Sequence, residues 1–467
     1  MDSNSPASFK RIFVLHCHPL EQYPPTMNLL NHFGQLAGYS VAICTSRNDK
    51  GLVEFSAAPI HFNRTQFPNR RLTRFRRLAA FLQFPLLALW KMVCFRPDVV
   101  LYIEPHSSFP ATLFGIINYR HRLLIHYHEY YEPDHFQSPG MRLIAFYHWF
   151  EKKLLFRRAV WISHTNEKRL ELFHRDHPSI DPAKLRVMGN FPPASWREES
   201  LEAKKLLVAS GELLVARDKL REASGELLER PSLRLVYVGS VSLHDTFIGP
   251  LVEWILARDD DAVTLDVFAY NADEKTKEFL REAGGVRREA GGELEQAGGW
   301  RLEAGGCRLQ TSDSGLPAPE SPLPSPDSGL PTPISGLTPD ASRLTPAPRV
   351  RYFEQGVEYD DLPKVLANYD VGVILYRCNT TNYKFNASNK LFEYLACGLE
   401  VWYPPQMLGV KPYARDDAFP RVMEVNYERL DQVDLELMRK TDGLPDAPPP
   451  PCCEDEFEKL LAVMRGE

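Results

Sequence analysis

Short apolar runs separated by helical stretches are the feature of this sequence that most limits its fold. In the first part of the chain the runs are RIFVLHC, SVAICTS, DVVLYIE, LLIHYHE, AVWISHT and LRVMGN, all within residues 10–190. They are continuous rather than alternating in polarity, which is typical of strands buried on both faces. Helical stretches lie between them, for example at 25–37, 107–119 and 139–157. The pattern predicts an open, mostly parallel α/β sheet.

The same pattern begins again at Leu233. Its runs are LRLVYVGS, VTLDVFAY, VRYFEQG, DVGVILY and EVWYP, and helices are predicted near 247–258, 362–369 and 389–397. The sequence therefore predicts two doubly wound, Rossmann-like domains. Because ligands of such sheets bind outside the strand ends, the cleft between the domains is the natural ligand site.

Composition sets the domain boundaries. We place the first domain at residues 10–192 and the second at 231–280 plus 348–440. Between them, residues 193–230 repeat SGELL and are interpreted as a charged linker that can form a helix. Residues 281–347 begin with near-repeats such as REAGG and then become rich in Pro, Gly and Ser, which predicts a disordered insertion. Residues 441–467 are predicted to be a Pro-rich tail followed by a terminal helix.

Charge and cysteine content exclude some classes of protein. A net charge of −6 gives no reason to expect nucleic acid binding. The eight cysteines are scattered, apart from the vicinal Cys452 and Cys453, which suits a reducing compartment better than a disulfide framework. The N-terminal segment MDSNSPASFKR has no apolar signal region. We therefore expect a cytoplasmic protein.

Two neighbouring segments bear on membrane contact. The apolar stretch 78–95 is interrupted by polar residues and followed at once by a buried strand, so we do not expect it to span a membrane. The basic stretch 64–77 has interleaved aromatic and aliphatic residues, which predicts either contact with anionic lipid headgroups or a solvated basic face. Peripheral attachment to the inner face of a membrane thus stays open. The residues that would make it are Arg70, Arg71, Arg74, Arg76 and Arg77.

Histidines and a glutamate collect at predicted strand ends. The spacings His16-x-His18 and His126-x-His128 place each pair on one side of a strand, as in some metal sites. Core histidines show the same spacing, and we expect no metal. His128 directly precedes Glu129, which makes the two candidates for acid, base or sugar-hydroxyl contacts. A structural His–Glu pair is the alternative. The polar residues after the DVVLYIE run are His106 and Ser107.

The stretch NASNKLFEYLACGLEV, residues 386–401, places one carboxylate in a helical pattern. The apolar residues share one face, whereas Asn389, Lys390 and Glu393 lie on the other, near the positive end of the helix dipole. This segment alone is also compatible with a solvated polar face. In the second domain, the run VYVGS ends at Gly239 and Ser240, a turn whose backbone N–H groups can meet a phosphate.

Taken together, several segments resemble the retaining glycosyltransferases of family four, which have the two-Rossmann-domain type B fold. The segments are SNKLFEYLACGLEV, HPLEQYPP, IHYHEYYEP, VMGNFPP and YVGSVS, and the resemblance covers most of 10–192 and 233–425. It implies transfer of a sugar from a nucleotide diphosphate donor to a glycan or lipid-linked acceptor, with retained configuration, in polysaccharide synthesis. The nucleotide sugar is then a substrate, and no cofactor is expected.

The resemblance also assigns roles to residues. Glu393 matches the carboxylate that contacts the nucleotide ribose, and Asn389 and Lys390 precede it where the donor phosphates would lie. His128 matches a histidine near the transferred sugar. Gly239 matches the glycine turn close to the diphosphate.

The chain departs from the family pattern at three places. Phe385 occupies the position of a second glutamate, and the segment GSVSLHDTFIG lacks the basic residues that usually follow the glycine turn. Lys384, Lys390 and Arg377 are candidates to supply that charge. Glu400 stands where proline is usual, which we interpret as structural drift. These departures keep two alternatives open: a non-catalytic partner or scaffold protein of a polysaccharide pathway, and a sugar-nucleotide epimerase.

Overall fold

The computed structural model describes residues 10–47, 54–68, 72–222, 233–260, 262–285, 348–439, 441 and 443–467. The disorder predicted for 281–347 lies outside the described residues, apart from 281–285, which include the end of a helix. Arg70 and Arg71 also lie outside them.

Two parallel sheets form the framework of the described chain. The first has seven strands in the order β3-β2-β1-β4-β5-β6-β7. They are β1 (Lys10–Pro19), β2 (Tyr39–Arg47), β3 (His61–Gln66), β4 (Val99–Ile103), β5 (Arg122–Tyr127), β6 (Trp161–His164) and β7 (Leu185–Val187). The second has six, in the order β10-β9-β8-β11-β12-β13. They are β8 (Leu233–Val238), β9 (Val263–Phe268), β10 (Val350–Phe353), β11 (Val371–Val373), β12 (Glu400–Tyr403) and β13 (Val422–Glu424).

Helices connect the strands and cover the sheets. In the first half of the chain they are α1 (Pro24–Gln35), α2 (Arg74–Phe95), α3 (Ser108–Ile117), α4 (Arg142–Phe150), α5 (Phe156–Arg158), α6 (Glu167–Asp176) and α7 (Ser195–Glu222), with a π-helical turn at Glu151–Leu155 between α4 and α5. In the second half they are α8 (Ile248–Leu256), α9 (Glu274–Ala283), α10 (Leu362–Leu366), α11 (Thr381–Lys384), α12 (Asn389–Ala396), α13 (Leu435–Arg439) and α14 (Cys453–Arg465). The part of the predicted linker that the structure describes is helical.

Burial on both faces explains the continuous apolar runs. Ile12 and Val14 of β1 pack with Leu29 on one face of the first sheet, whereas Phe13 and Leu15 pack in the core on the other face. Successive side chains of a strand point to opposite faces, so each face needs its own apolar set. The prediction of two doubly wound parallel sheets is confirmed.

Two edge strands were missed by the sequence analysis. β3 has the polar sequence HFNRTQ, and only one of its residues is buried. Because Arg64 belongs to β3, the basic stretch 64–77 is not one amphipathic segment, as the sequence suggested. Nη1 of Arg64 lies 2.9 Å from Oε1 of Glu21, in a nearly buried ion pair that cannot reach a lipid.

The other missed strand, β13, changes the interpretation of Glu400. The carboxylate of Glu400 on β12 is buried and accepts two hydrogen bonds from the guanidinium of Arg421, the residue before β13. A proline at position 400 could not form this ion pair. Glu400 is therefore a structural residue that ties the edge of the second sheet, rather than neutral drift.

The strand order positions a site in each domain. Chain order reverses between β1 and β4 in the first sheet and between β8 and β11 in the second. Ligands of doubly wound sheets bind outside the carboxyl ends of the strands at these switch points. His16 ends the β1–β4 pairing, and Gly239 directly follows β8.

Candidate functional site

Glu393 lies in the second turn of α12 and is buried, with 8% of its surface exposed. Burial raises the pKa of its carboxyl to about 7, against the opposing effect of nearby Lys390. Among the described residues, no side chain or backbone group forms an ion pair or hydrogen bond with this carboxylate. A buried carboxylate without a partner costs free energy, so the site is suited to a ligand with hydroxyl donors. The alternative of a solvated face is wrong.

The surroundings of Glu393 include both domains. Burial and the nearby Glu393 carboxylate raise the pKa of Tyr359, whose hydroxyl oxygen accepts a 3.0 Å hydrogen bond from Nδ2 of Asn28. Asn28 belongs to α1 of the first domain. Glu393 thus lies beside a contact between the first and second domains, where a ligand of the cleft would bind.

The glycine turn after β8 lies against Lys390. Gly239 has a φ of +120°, and a Cβ at this position would lie 2.9 Å from Nζ of Lys390. Nζ donates a 2.8 Å hydrogen bond to the hydroxyl oxygen of Tyr376, which fixes the ammonium group at the turn. The next residue, Ser240, is exposed, and its Oγ accepts a hydrogen bond from Nδ2 of Asn271. The ammonium group of Lys390 therefore places a positive charge at the turn, although the segment after Gly239 has no lysine or arginine.

The two other candidate cations lie differently. Lys384 is exposed at the end of α11, with Nζ 5.7 Å from the centre of the Phe385 ring. Nε of Arg377 donates a 3.0 Å hydrogen bond to the backbone oxygen of Thr246, and its guanidinium stacks over Phe247. Of the three, the structure brings Lys390 to the glycine turn. Asn389, half-buried, begins the same helix.

His128 is a neutral hydrogen-bonding residue. Its Nε2 lies 3.0 Å from Oγ1 of Thr26, and its Nδ1 lies 3.3 Å from Oδ1 of Asn190. Burial lowers the pKa of His128 to about 4, so the imidazole is uncharged near neutral pH. The ring is paired with Thr26 and Asn190 rather than with Glu129, which is exposed, so the alternative of a structural His–Glu pair is wrong.

Glu104 is a site residue that the sequence analysis missed. It follows β4, is 1% exposed, and accepts hydrogen bonds at Oε1 from the backbone N–H groups of His128 (2.8 Å) and Glu129 (3.1 Å). Its backbone has φ 68° and ψ 152°, a conformation that favours glycine and costs about 1–3 kcal/mol. Such strain collects at functional sites. The sequence signal that could have identified Glu104 is its position at the end of the apolar run DVVLYIE, directly before Pro105.

Further histidines line the same strand ends. The ring centres of His18 and His106 lie 4.7 Å apart, and those of His16 and His128 lie 6.2 Å apart. Burial lowers the pKa of His16 and of His106, so these rings are neutral. Among the residues that the structure describes, no group of three or more His, Cys, Asp or Glu side chains could hold a metal ion.

The segment before α12 is fastened to the first domain. The backbone N–H of Tyr130 donates to Oδ1 of Asn382 (2.8 Å), and Nδ2 of Asn382 donates to the backbone oxygen of Tyr130 (2.9 Å). Nδ2 of Asn166 donates a 2.8 Å hydrogen bond to the backbone oxygen of Phe385. The position where the family has a second glutamate is therefore part of an interdomain contact.

Residues 27–190 match the family model described as a glycosyl transferase 4-like domain. The first domain is thus similar to a glycosyl transferase 4-like domain over residues 27–190. No curated protein sequence matches the chain. The predicted resemblance to glycosyltransferases is confirmed, whereas the assignment to the retaining family four stays a prediction.

Solved structures share the complete two-domain fold. HepE of Anabaena in complex with UDP-glucose is 11% identical, with 98% of this chain and 100% of that chain covered and a TM-score of 0.56. Sucrose-phosphate synthase of Thermosynechococcus elongatus is 12% identical, with 98% and 97% covered and a TM-score of 0.52. UDP-GlcNAc 2-epimerase of Neisseria meningitidis is 9% identical, with 98% and 100% covered and a TM-score of 0.50. These likenesses confirm the predicted type B fold.

In the first domain, Glu104 gives a testable pH effect. Burial, together with the charge of Glu129, raises the pKa of Glu104 to about 8, above its unfolded value. The protonated carboxyl therefore contributes stability that is present at low pH and is lost as the pH rises through about 8. Because glutamine does not titrate, the Tm of the wild type minus that of Glu104→Gln should fall by about 2–4 °C or more between about pH 5 and pH 9.

Thermal unfolding at a series of pH values measures this difference. Glu132→Gln, at an exposed position of the same region, is the control and should show a constant Tm difference. A constant difference for Glu104→Gln as well would contradict the raised pKa.

Proposed function

We propose that this chain is a glycosyltransferase that moves a sugar from a nucleotide diphosphate donor to a glycan or lipid-linked acceptor with retention of configuration, in polysaccharide synthesis. The observation that carries the proposal is the arrangement of Glu393, buried without a partner among the described residues, on the same helix as Lys390, which lies against the Gly239 turn. The glycosyl transferase 4-like domain and the fold shared with HepE, solved with UDP-glucose, support it.

The donor fits this arrangement by charge and by hydrogen bonding. The Glu393 carboxylate would accept hydrogen bonds from the ribose hydroxyls, and the Lys390 ammonium would stand beside the diphosphate at the glycine turn. The N-terminus of α12 adds a partial positive charge to the same place. The base is proposed to be uracil, because HepE was solved with UDP and UDP-glucose.

The chemistry requires positioning rather than a protein nucleophile. In the proposed retaining mechanism the bond between the anomeric carbon and the diphosphate oxygen breaks, and the diphosphate leaves with the electron pair. The acceptor oxygen forms the new bond to the anomeric carbon on the same face, and its proton passes to the leaving diphosphate. Lys390 and the helix dipole stabilise the charge that develops on the diphosphate. His128, neutral at the end of β5, is proposed to hydrogen-bond a hydroxyl of the transferred sugar, and exposed Glu129 lies beside it.

UDP binding tests the proposal through Lys390. Replacing Lys390 by glutamine removes the charge at the Gly239 turn and should weaken UDP binding by about tenfold or more. Lys384→Gln is the matched control, because Lys384 is an exposed lysine six positions earlier, and should change the affinity by less than about threefold. Calorimetric titration of both variants with UDP provides the measurement.

The reaction itself separates the alternatives. Release of UDP from a UDP-sugar, with a new glycan on the acceptor and the anomeric configuration retained, would establish the proposed activity. UDP binding without turnover of any nucleotide sugar would instead favour a non-catalytic partner protein. Interconversion of nucleotide sugars without an acceptor would favour an epimerase, the class to which one structural neighbour belongs.

A further inference from the structure

The outer face of α2 carries apolar side chains that the described structure leaves exposed. The inner face of this helix is buried: Phe84, Ala88 and Met92 lie in the core of the first domain, and Ala80 is also buried. On the opposite face, six side chains are between 43% and 87% exposed: Phe75, Leu78, Leu82, Leu86, Trp90 and Val93. They recur every three or four residues and form one stripe along the helix.

Two neighbouring helices continue this stripe. α2 packs against α3, and α3 packs against α4. Phe109 at the start of α3 stacks on Tyr147 of α4, with ring centres 4.6 Å apart. These helices add the exposed apolar side chains of Ile116, Ile117, Phe146 and Trp149, and exposed Tyr119 follows α3 by two residues. We call the exposed apolar side chains of α2, α3 and α4 the apolar face.

The exposed charges carried by α2 and α4 are positive. Between residues 72 and 95 and between 105 and 122 the sequence contains no aspartate or glutamate. Between 138 and 158 the one acidic residue is Glu151, which is fully buried. Exposed basic residues flank the face, for example Arg76, Arg120, Lys152 and Lys153. A basic rim on a chain of net charge −6 complements an anionic surface.

The length and composition of α2 also point to lipid. Phe75–Phe95 is apolar and long enough to cross a bilayer, and 28% of its most apolar window is buried in the protein. Because its inner face packs on the first sheet and the chain re-enters that sheet at β4, the helix lies on the domain. An amphipathic helix with Trp and Leu on one side and flanking basic residues binds in the plane of a membrane interface.

We propose that the apolar face docks on an anionic phospholipid bilayer, with α2 lying along the membrane surface. α2 and α3 follow the carboxyl ends of β3 and β4, so the face starts at the edge of the sheet where Glu104 and His106 lie. A membrane at this face would be next to the first-domain side of the cleft. If the proposed function holds, the acceptor is therefore lipid-linked and is presented from that membrane.

Vesicle flotation with the full chain tests the docking without using any enzymatic activity. Vesicles of phosphatidylcholine with phosphatidylglycerol should carry the wild-type protein, and vesicles of phosphatidylcholine alone should carry markedly less. The triple variant Leu82→Gln, Leu86→Gln, Trp90→Gln removes the centre of the stripe and should bind at least about tenfold more weakly.

A matched triple variant controls for the loss of exposed apolar groups in general. Leu201→Gln, Leu206→Gln, Val208→Gln changes three exposed apolar residues of α7 and should bind vesicles like the wild type. All replaced side chains are exposed, so both variants should fold, which far-UV circular dichroism and thermal unfolding verify independently. Loss of flotation by a folded α2 variant supports the membrane face, whereas failure of the wild type to bind UDP contradicts the proposed function alone.

Three results would overturn the proposal. The first is that the wild type floats with neither kind of vesicle. The second is that the α2 variant binds vesicles as well as the wild type does. The third is a wild-type dimer that the α2 variant converts to a monomer, with no vesicle binding by either, which would assign the face to a second copy of the chain.

Discussion

Replacing Glu393 by alanine is expected to lower kcat/KM for a UDP-sugar by about 100-fold or more. The carboxylate is buried and has no partner in the described protein, so two ribose hydroxyls would lose their acceptor. Hydrogen bonds to a charged group contribute about 1.5–3 kcal/mol each, which corresponds to this loss. Steady-state kinetics and UDP titration give the measurement. Glu278→Ala, at an exposed position of α9, is the control and should leave kcat/KM unchanged.

The glutamine variant tests the role of the charge. The pKa of Glu393 is raised to about 7 by burial, so the carboxyl becomes ionised as the pH rises through neutrality. The ionised form is the better acceptor. The ratio of wild-type to Glu393→Gln affinity for UDP should therefore increase between about pH 6 and pH 8. If Glu393→Ala binds UDP and turns over donor like the wild type, the ribose assignment is wrong.

Replacing Glu151 by alanine is expected to cause the largest loss of stability in the first domain. Its carboxylate is fully buried and accepts hydrogen bonds from the hydroxyls of Tyr102 (2.6 Å) and Tyr127 (2.5 Å), while Nδ1 of His148 lies 2.6 Å from its other oxygen. Alanine would leave three buried polar groups without their common partner. We expect the free energy of unfolding to fall by about 3–5 kcal/mol.

Urea unfolding of the full chain, followed by tryptophan fluorescence, measures this loss. Glu171→Ala is the control, because Glu171 pairs with Lys168 on the surface with its side chain 65% exposed, and should change the free energy of unfolding by less than about 0.5 kcal/mol. A change below about 1 kcal/mol for Glu151→Ala would show that the network is not a stabilising centre.

The sequence predicted those parts of the fold in which burial is visible as a local run of apolar residues. Strands such as β1 are apolar on both faces, so they stand out without knowledge of their neighbours. Two of the four edge strands do not stand out in this way, because β3 has one buried residue and β13 has three residues in all. Missing β13 also hid the ion pair of Glu400 with Arg421, which is 21 residues away.

Apart from Glu104, the sequence predicted the members of the candidate site, but it did not predict their geometry. A polar helix face has the same periodicity whether it is solvated or lines a cleft, so only tertiary structure distinguishes the two for Glu393. Which of Lys384, Lys390 and Arg377 supplies the positive charge depends on its distance in space from Gly239. This distance cannot be derived from the spacing of the residues in the sequence. Glu104 was missed because its strained backbone and its contacts with His128 and Glu129 arise from two different strands.

The position of the last helix affects how the protein is made. In α14, Leu460 and Leu461 are fully buried in the same core as Leu29 and Leu30 of α1. The first domain therefore lacks part of its core until the ribosome has translated the whole second domain. Nascent chains would expose the apolar side of α1 throughout that interval, so we expect chaperones to bind the chain there during synthesis.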